Sequence, residues 1–282
     1  MPVSGSTLVR RQLGRRLKTM RRSAGKTVDD VVATKIMSAA KLFRIEAGSS
    51  PVRTADVWAL CRIYSADDKT TEALSSLAVG TNGKNWWHDY AGQRLPTDFA
   101  MYLGLEADAA AIRIYEPELV HGLFQTPAYA REIERATSIP APGEDDIGDD
   151  TIDRYVALRM QRQKTVLGRK SPGQIVAVLG APALSWQVGG PDVMAEQVEH
   201  LREIGRLRHV DLRVLPFSTG SHAAMFGGFA VMDFVDAEDP PVAYFETYTG
   251  AGFNEKEDQL PRYRTIFESI HQDAVPIEEY TP

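Results

Sequence analysis

The stretch 38-SAAKLFRIEAG-48 decides how the first part of this 282-residue chain folds. Its serine can accept a hydrogen bond from a free N–H group at the start of a helix, and its glycine can end that helix. Leu42 and Ile45 are spaced to share one buried face. Lys41 and Arg44 are three residues apart and share a different face. The stretch therefore predicts a short helix that buries one side and turns two basic side chains outward.

Helical patterns lie on both sides of this stretch. Upstream, apolar residues recur at helical spacing among arginines from Leu8 onward, and Gly25 is suited to end that helix. At 27–30 the sequence TVDD predicts a capping box, because the threonine and the second aspartate can each accept a hydrogen bond from the other's backbone N–H. Two further helices are predicted over 51–64 and around 69–79, which makes five in all.

The charge of the chain is unevenly divided. Residues 1–62 hold 13 Lys and Arg against 4 Asp and Glu, a net charge of +9, whereas the remaining residues hold 19 against 34, a net charge of −15. A basic segment ahead of an acidic body indicates nucleic acid as the partner of that segment. The alternative is a solvated basic face that binds nothing.

The second and third predicted helices are joined by a tight turn. This is the helix-turn-helix arrangement, in which the second helix of the pair lies in the major groove of DNA. The capped helix pair, the run from Ser38 to Gly48, and Asp56-Val57 at the start of the fourth helix resemble the XRE (lambda-repressor-like) helix-turn-helix family. The resemblance implies an all-α N-terminal domain of five helices, which we place at residues 1–80.

The same resemblance implies roles for residues of the third helix. Its two basic side chains are suited to guanine O6 and N7, and its alanines to thymine methyl groups. The residues expected at the groove are Ser38, Ala39, Ala40, Lys41 and Arg44.

Further roles are implied outside that helix. Thr27 and Val28 are expected at a phosphate, because N–H groups at a helix start bind anions. Arg53 is predicted to contact a phosphate as well. Glu46 is expected to form an ion pair with Arg21 and so to hold the third helix against the first.

Beyond residue 80 the pattern changes to strands that alternate with helices. This alternation favours a larger mixed α/β (α+β) domain around one sheet of about five strands, which we place at residues 81–282. The strand-like runs are 111–115, 174–179, 210–215, 229–234 and 242–247.

Several motifs occur in order through this second part. They are Trp86-Trp87, YxxLExxA from Tyr102, GLxQTxxYAR from Gly122, GGPxVMxxQ from Gly189 and LPFxxGxH from Leu215. Together they resemble a large group of XRE-type regulators, the antitoxin-like class of Streptomyces and other actinobacteria, which carry a C-terminal domain of unknown function. The resemblance covers nearly the whole chain. It implies transcriptional regulation, often beside a small partner protein encoded nearby.

Aromatic and polar residues near turns of the second part indicate a pocket for an apolar ligand or a partner helix. The alternative is that these aromatic side chains are simply core. The predicted ligand or partner residues are Trp86, Trp87, Phe124, Gln125, Tyr129 and His222, and the same aromatic set includes Phe217, Phe226 and Phe229.

Sequence patterns for catalysis, metal binding and membrane insertion are missing. The chain has no HExxH, P-loop, GxGxxG or GxSxG pattern, and its one cysteine, Cys61, is expected to be an inert buried thiol. No apolar run approaches the ~18 to 20 residues that span a membrane. We expect no enzyme activity, no cofactor and no metal, and a cytoplasmic protein that joins the nucleoid when bound to DNA.

These observations predict a sequence-specific DNA-binding transcriptional regulator. A homodimer on an inverted-repeat operator is expected, because helix-turn-helix dimers match the symmetry of their sites. The C-terminal domain would mediate dimerisation, or sense a small-molecule effector or a protein partner. The alternative is an antitoxin-like interaction module that holds a small partner protein, with DNA binding secondary.

Overall fold

The computed structural model divides the chain into two compact units, Met1–Tyr102 and Leu103–Pro282. The division predicted after residue 80 falls inside the first unit. Trp86 and Trp87, both predicted as ligand residues, lie outside the described residues. The described residues are 5–46, 52–82, 97–139, 148–169, 172–235, 240–248 and 250–281.

Helices alone form the described part of the first unit. The first five are α1 (Gly5–Ser23), α2 (Val28–Ala33), α3 (Ala39–Glu46), α4 (Thr54–Ile63) and α5 (Asp68–Asn82). The prediction of five helices before a mixed domain is thereby confirmed. Their apolar faces meet in one core, which includes Leu13, Leu17, Val31, Leu42, Ile45, Val57, Leu60 and Leu74.

Local hydrogen bonds shape the turn between α2 and α3. The Asp30 N–H donates to Thr27 Oγ1 at 3.1 Å, and the Thr27 N–H donates to Asp30 Oδ2 at 2.7 Å, which is the predicted capping box. After α2, Lys35 adopts a φ of 59°. This left-handed conformation costs a residue with a Cβ about 1 kcal/mol, and it turns the chain sharply. Ser38 then begins α3 by accepting the Lys41 N–H on its Oγ at 3.3 Å.

A buried ion pair holds α3 against α1. Arg21 donates from Nε and Nη2 to the two carboxylate oxygens of Glu46 at 2.6 and 2.9 Å. The two side chains are only 10% and 5% exposed. Gly14 brings the helices still closer, since a Cβ there would lie 2.3 Å from the Ile45 carbonyl oxygen. The expected Arg21–Glu46 pair is therefore present, and α3 is positioned by it together with a backbone contact.

Removing one partner of this pair should destabilise the first unit strongly. Arg21→Ala leaves the Glu46 carboxylate buried without its cation, and we expect a loss of about 3–5 kcal/mol. The double variant Arg21→Met/Glu46→Leu removes both charges and should retain most of the stability. Hydrogen–deuterium exchange of α1 and α3 in the full chain measures the loss where it occurs. Equal protection in the parent and in Arg21→Ala would show that the pair does not hold these helices.

One mixed sheet organises the second unit. Its strands, within the described residues, are β1 (Ala111–Glu116), β2 (Gln174–Gly180), β3 (Val210–Leu215), β4 (Phe229–Asp233), β5 (Val242–Thr247), β6 (Gly250–Asn254) and β7 (Val275–Pro276). The strand order is β6-β5-β4-β1-β2-β3-β7. The neighbouring strands β1, β2 and β3 are parallel, and every other pairing is antiparallel.

The α+β class is confirmed, but the sheet has two strands more than the sequence predicts. The five predicted runs correspond to β1 to β5. The additional strands lie at the two edges of the sheet. β6 has the sequence GAGFN and β7 has the sequence VP, so neither contains an apolar run long enough to indicate a strand.

Helices precede, connect and follow these strands along the chain. They are α6 (Thr97–Asp108), α7 (Pro127–Thr137), α8 (Asp149–Leu167), α9 (Pro182–Ser185), α10 (Pro191–Gly205) and α11 (Leu260–Asp273). α11 packs on the sheet face that carries Tyr115 and Val178. The opposite face, with Ile112 and Ile114, is buried as well. Burial on both faces is what a central parallel sheet requires.

Three findings bear on other classes of function. Within the described ranges, no helix is both long and apolar enough to cross a membrane. The same ranges contain no group of three or more His, Cys, Asp or Glu side chains that could hold a metal ion. Cys61 is buried as expected, and burial raises the pKa of its thiol.

Candidate functional site

The outward face of α3 combines a small, an aromatic and a basic side chain. Ala40, Phe43 and Arg44 are exposed, and they share this face because three or four positions separate the first from the others. Phe43 is 57% exposed, whereas Leu42 and Ile45 are buried in the core. No role was predicted for Phe43 from the sequence, so its outward position is a new finding. Its spacing of three residues from Ala40 was the signal that could have shown it.

The two basic residues of α3 have different surroundings. Lys41 is partly buried, and its Nζ lies 2.7 Å from Asp56 Oδ1 in α4. Arg44 is exposed, and its Nε donates to the Ala40 carbonyl at 3.2 Å. Lys41 thus bridges two helices of the unit, while Arg44 lies along the outward face. The predicted base contact by Lys41 would require this ion pair to open.

The start of α2 is acidic. The N–H and the hydroxyl of Thr27 both donate to Asp30 Oδ2, at 2.7 and 2.8 Å. These bonds lower the pKa of the Asp30 carboxyl, so the group is ionised at neutral pH. Asp29 is exposed beside it. A phosphate at Thr27 or Val28 would meet two carboxylates, so the geometry does not favour the phosphate contact predicted there.

Arg53 lies near α3. It is exposed and occupies the N-cap position of α4, where no side chain caps the helix. Asp56, in the first turn of that helix, contacts Lys41 of α3. The start of α4 is therefore adjacent to α3, and Ser38 is also exposed. This arrangement suits the predicted phosphate contact by Arg53, because N–H groups at a helix start and a nearby cation both attract anions.

Three residues predicted to bind a ligand lie inside the second unit. Phe124 and Tyr129 are fully buried, and Gln125 is nearly so. Gln125 donates from Nε2 to the Val120 carbonyl at 2.6 Å and accepts from Arg159 on Oε1 at 2.6 Å. The Tyr129 hydroxyl accepts the Val120 N–H at 3.2 Å. These side chains hold the segment after β1 in place, which favours the core interpretation for all three.

Other motif residues belong to similar buried networks. Gln197 of α10 accepts the Thr126 N–H at 2.8 Å and donates to the Phe124 carbonyl at 2.7 Å. Glu106 of α6 forms a bidentate pair with Arg162 of α8, at 2.6 and 2.7 Å. Three of the sequence motifs are therefore explained by bonds that satisfy buried polar groups.

A cavity of about 440 Å³ lies at the carboxyl ends of the parallel strands. Tyr115, Gly180 and Leu215, at the ends of β1, β2 and β3, line it. The other lining residues follow these strands directly, mainly within 216–227. In open α/β sheets, ligands bind at this edge, because the carboxyl ends of parallel strands meet there and the connections diverge. The cavity volume also falls in the range of about 300–1,000 Å³ that is usual for ligand pockets.

His222 is the predicted ligand residue that this cavity contains. Its Nδ1 accepts the Ala224 N–H at 3.3 Å, and its Nε2 lies 3.5 Å from the Tyr115 hydroxyl. Burial, with a contribution from Glu116, raises the pKa of Tyr115 to about 12. The hydroxyl therefore stays protonated at neutral pH and can donate a hydrogen bond. Tyr115, His222 and the carboxylate of Glu118 thus supply polar groups to a cavity whose other lining residues are mainly apolar residues, prolines and glycines.

Glu116, the last residue of β1, points to the opposite face of the sheet from Tyr115. Burial raises the pKa of its carboxyl to about 8; Glu246 adds to the shift and Arg162 opposes it. A carboxyl with this pKa is mostly protonated at neutral pH. It is then a hydrogen-bond donor rather than a charge.

Glu116 should make the stability of the chain fall as the pH rises. Its folded pKa of about 8 exceeds the ordinary value of 4.5, so the unfolded chain releases this proton first. The stabilisation that protonated Glu116 gives the folded state should be fully present below about pH 4.5 and decline as the pH rises to about 8. Above that pH it is lost, and the free energy of unfolding should no longer change because of this group. Glu116→Gln should remove this slope, which is measured as the difference between parent and variant in urea unfolding across that range. A pH-independent difference between the two proteins would contradict the raised pKa.

Comparison with known families agrees with this two-part architecture. Residues 12–74, which contain α2, α3, α4, most of α1 and the first half of α5, match the model of a helix-turn-helix domain. The chain is thus a DNA-binding regulator of the helix-turn-helix class. Residues 99–280 match the model described as a domain of unknown function (DUF5753), and the protein belongs to that family. No curated protein and no solved structure matches the chain with significant similarity.

The helix-turn-helix part of the resemblance noted in the sequence is confirmed by this match. The match to a C-terminal domain of unknown function agrees with the second part of it. The narrower assignment to an actinobacterial antitoxin-like group stays a prediction.

Proposed function

We propose that this regulator reads a specific DNA sequence through the outward face of α3. The observation that carries the proposal is that Phe43 and Arg44 are exposed on a helix whose inner side is anchored by the Arg21–Glu46 pair. Sequence readout requires side chains held in a fixed position, since a small displacement breaks hydrogen bonds to base edges. An anchored helix with a short exposed face meets this requirement.

Each outward residue has a proposed role. Arg44 suits the O6 and N7 atoms of guanine, which it can reach by exchanging its bond to the Ala40 carbonyl. Phe43 and Ala40 suit the methyl group of a neighbouring thymine. Lys41 has a different role in this proposal. Its bond to Asp56 holds the start of α4 against α3, so that Arg53 can contact the DNA backbone.

The second unit is proposed to couple DNA binding to other events. A homodimer on an inverted repeat follows from the symmetry of helix-turn-helix recognition, with half-sites about 34–36 Å apart. We assign dimerisation or effector sensing to the second unit, and the cavity at the strand ends supports the sensing role. The proposed location is the cytoplasm, with the protein at the nucleoid when bound to DNA.

Arg44→Ala should weaken operator binding by about 1–3 kcal/mol and relax the preference at one base pair. The operator is first selected from random DNA, and affinity is then measured by fluorescence anisotropy at several salt concentrations. Arg44→Lys keeps the charge but loses the pair of N–H donors that can bind guanine together. Compared with Arg44→Ala, it should therefore regain the salt dependence of the parent but little of its sequence preference. Lys69→Ala removes an equal charge from an exposed position in α5 and is the control.

Two results would contradict this assignment. Unchanged affinity and sequence preference in Arg44→Ala would exclude the proposed face of α3. Weak, steeply salt-dependent and sequence-blind binding by the parent would mean that the basic segment supplies charge without readout.

Phe43 should read a thymine methyl group. Replacing the contacted thymine by uracil removes only that methyl group, so the parent should lose affinity by a few-fold. Phe43→Ala should show a much smaller difference between the thymine and uracil operators, because only the small contact from Ala40 remains. Because Phe43 is exposed, its substitution should change the stability of the folded state little. An equal uracil penalty in both proteins would assign the methyl contact to another residue.

A further inference from the structure

The mouth of the cavity at the strand ends is unusually apolar for an exposed surface. Phe217 is 67% exposed, Met225 is 66% exposed and Phe226 is fully exposed. All three line the cavity and come from the one segment that follows β3. Large apolar side chains gathered at one exposed site mark a place where a ligand or partner removes them from water.

A second cavity of about 320 Å³ adjoins the first, because Glu118 lines both. The second cavity is also lined by Leu119 and Trp186, and the tryptophan is 58% exposed. We call the two cavities together the strand-end cleft. The cleft continues the apolar surface beyond the strand ends, with one carboxylate at the point where its two parts meet.

The charged side chains found around the strand-end cleft are acidic. Among the residues that the structure describes, those that line the two cavities include the carboxylate of Glu118 and neither Lys nor Arg. An anion bound here would face this carboxylate without a basic partner. A cation would be attracted by Glu118, and the aromatic residues Phe217 and Phe226 in the lining can add cation–π attraction.

We propose that the strand-end cleft binds a small organic cation with an aromatic or aliphatic body. Glu118 pairs with the charge, and the apolar rim of Phe217, Met225 and Phe226 covers the body. Tyr115 and His222 close the inner end and offer hydrogen bonds there. The recess at the strand ends favours a small molecule over a protein helix, which would lie across the mouth and leave the inner end unfilled. The proposal deepens the sensing role assigned above and rests on it only for the effect on DNA.

Three probes with one common body test the charge preference. They are 4-phenylbutylammonium, 4-phenylbutanol and 4-phenylbutyrate, and isothermal titration of the full chain without DNA measures their binding. The cation should bind at least about fivefold more tightly than the alcohol, which corresponds to a partly exposed charge pair with cation–π support. The anion should bind most weakly. Equal binding of all three, tighter binding of the anion, or no binding of the cation at millimolar concentration would overturn the proposal.

Variants locate the binding in the strand-end cleft. Glu118→Gln should abolish the preference for the cation over the alcohol, while Phe217→Ala should weaken both probes alike. Glu196→Gln removes an exposed carboxylate of α10 and should change neither the affinity for the cation nor the affinity for the alcohol. Retention of the cation preference in Glu118→Gln would overturn the assignment. Both test residues are exposed, so the folded state should tolerate either change.

Operator affinity measured with and without the cation separates this proposal from DNA recognition. Binding of the cation is measured without DNA, so a lack of cation binding would not contradict the proposed DNA recognition by α3. A lack of operator binding would likewise not contradict cation binding measured by calorimetry. A shift in operator affinity with 4-phenylbutylammonium in the parent, absent in Glu118→Gln, would support the effector role. An identical shift in both proteins would overturn that role.

Discussion

The ion pair between Arg21 and Glu46 is the interaction on which the arrangement of the helix-turn-helix part depends. A buried pair contributes little net stability, because desolvation offsets the attraction, but breaking it is costly. It therefore selects one arrangement of α1 and α3 over the alternatives. Gly14 reinforces that choice by letting the two backbones touch. The outward residues Phe43 and Arg44 are positioned by contacts made on the other side of their helix.

Buried polar groups play a comparable part in the second unit. Gln197 and Gln125 bind backbone groups of the segment that follows β1, and Arg162 pairs with Glu106. Polar motif residues suggest a functional site when only the sequence is considered. Here the two glutamines satisfy backbone groups that burial would otherwise leave unpaired, and Arg162 and Glu106 satisfy each other, so these residues fix the architecture. Residues at the ends of the parallel strands, by contrast, line a cavity.

Local patterns predicted the helices well and the sheet less completely. The capping box of Thr27 and Asp30 and the end of α1 near Gly25 depend on residues a few positions apart, so spacing alone reveals them. Strands β1 to β5 carry apolar runs and were predicted, too. The edge strands β6 and β7 form because their neighbours offer unpaired backbone groups. The residues of β6 and β7 themselves do not indicate this pairing.

The sequence by itself determined the helix-turn-helix pair, the basic first segment and the α+β class of the second. These properties follow from periodicity, capping and charge, which act over a few residues. Only the tertiary structure decided which partner each polar side chain takes. It pairs Lys41 with Asp56, fifteen positions away, turns Phe43 outward, and places Gln125 inside while His222 lines a cavity. The partner and the exposure of each of these side chains depend on which elements pack together. The packing is determined by burial across the whole unit, not by the residues next to each one in sequence.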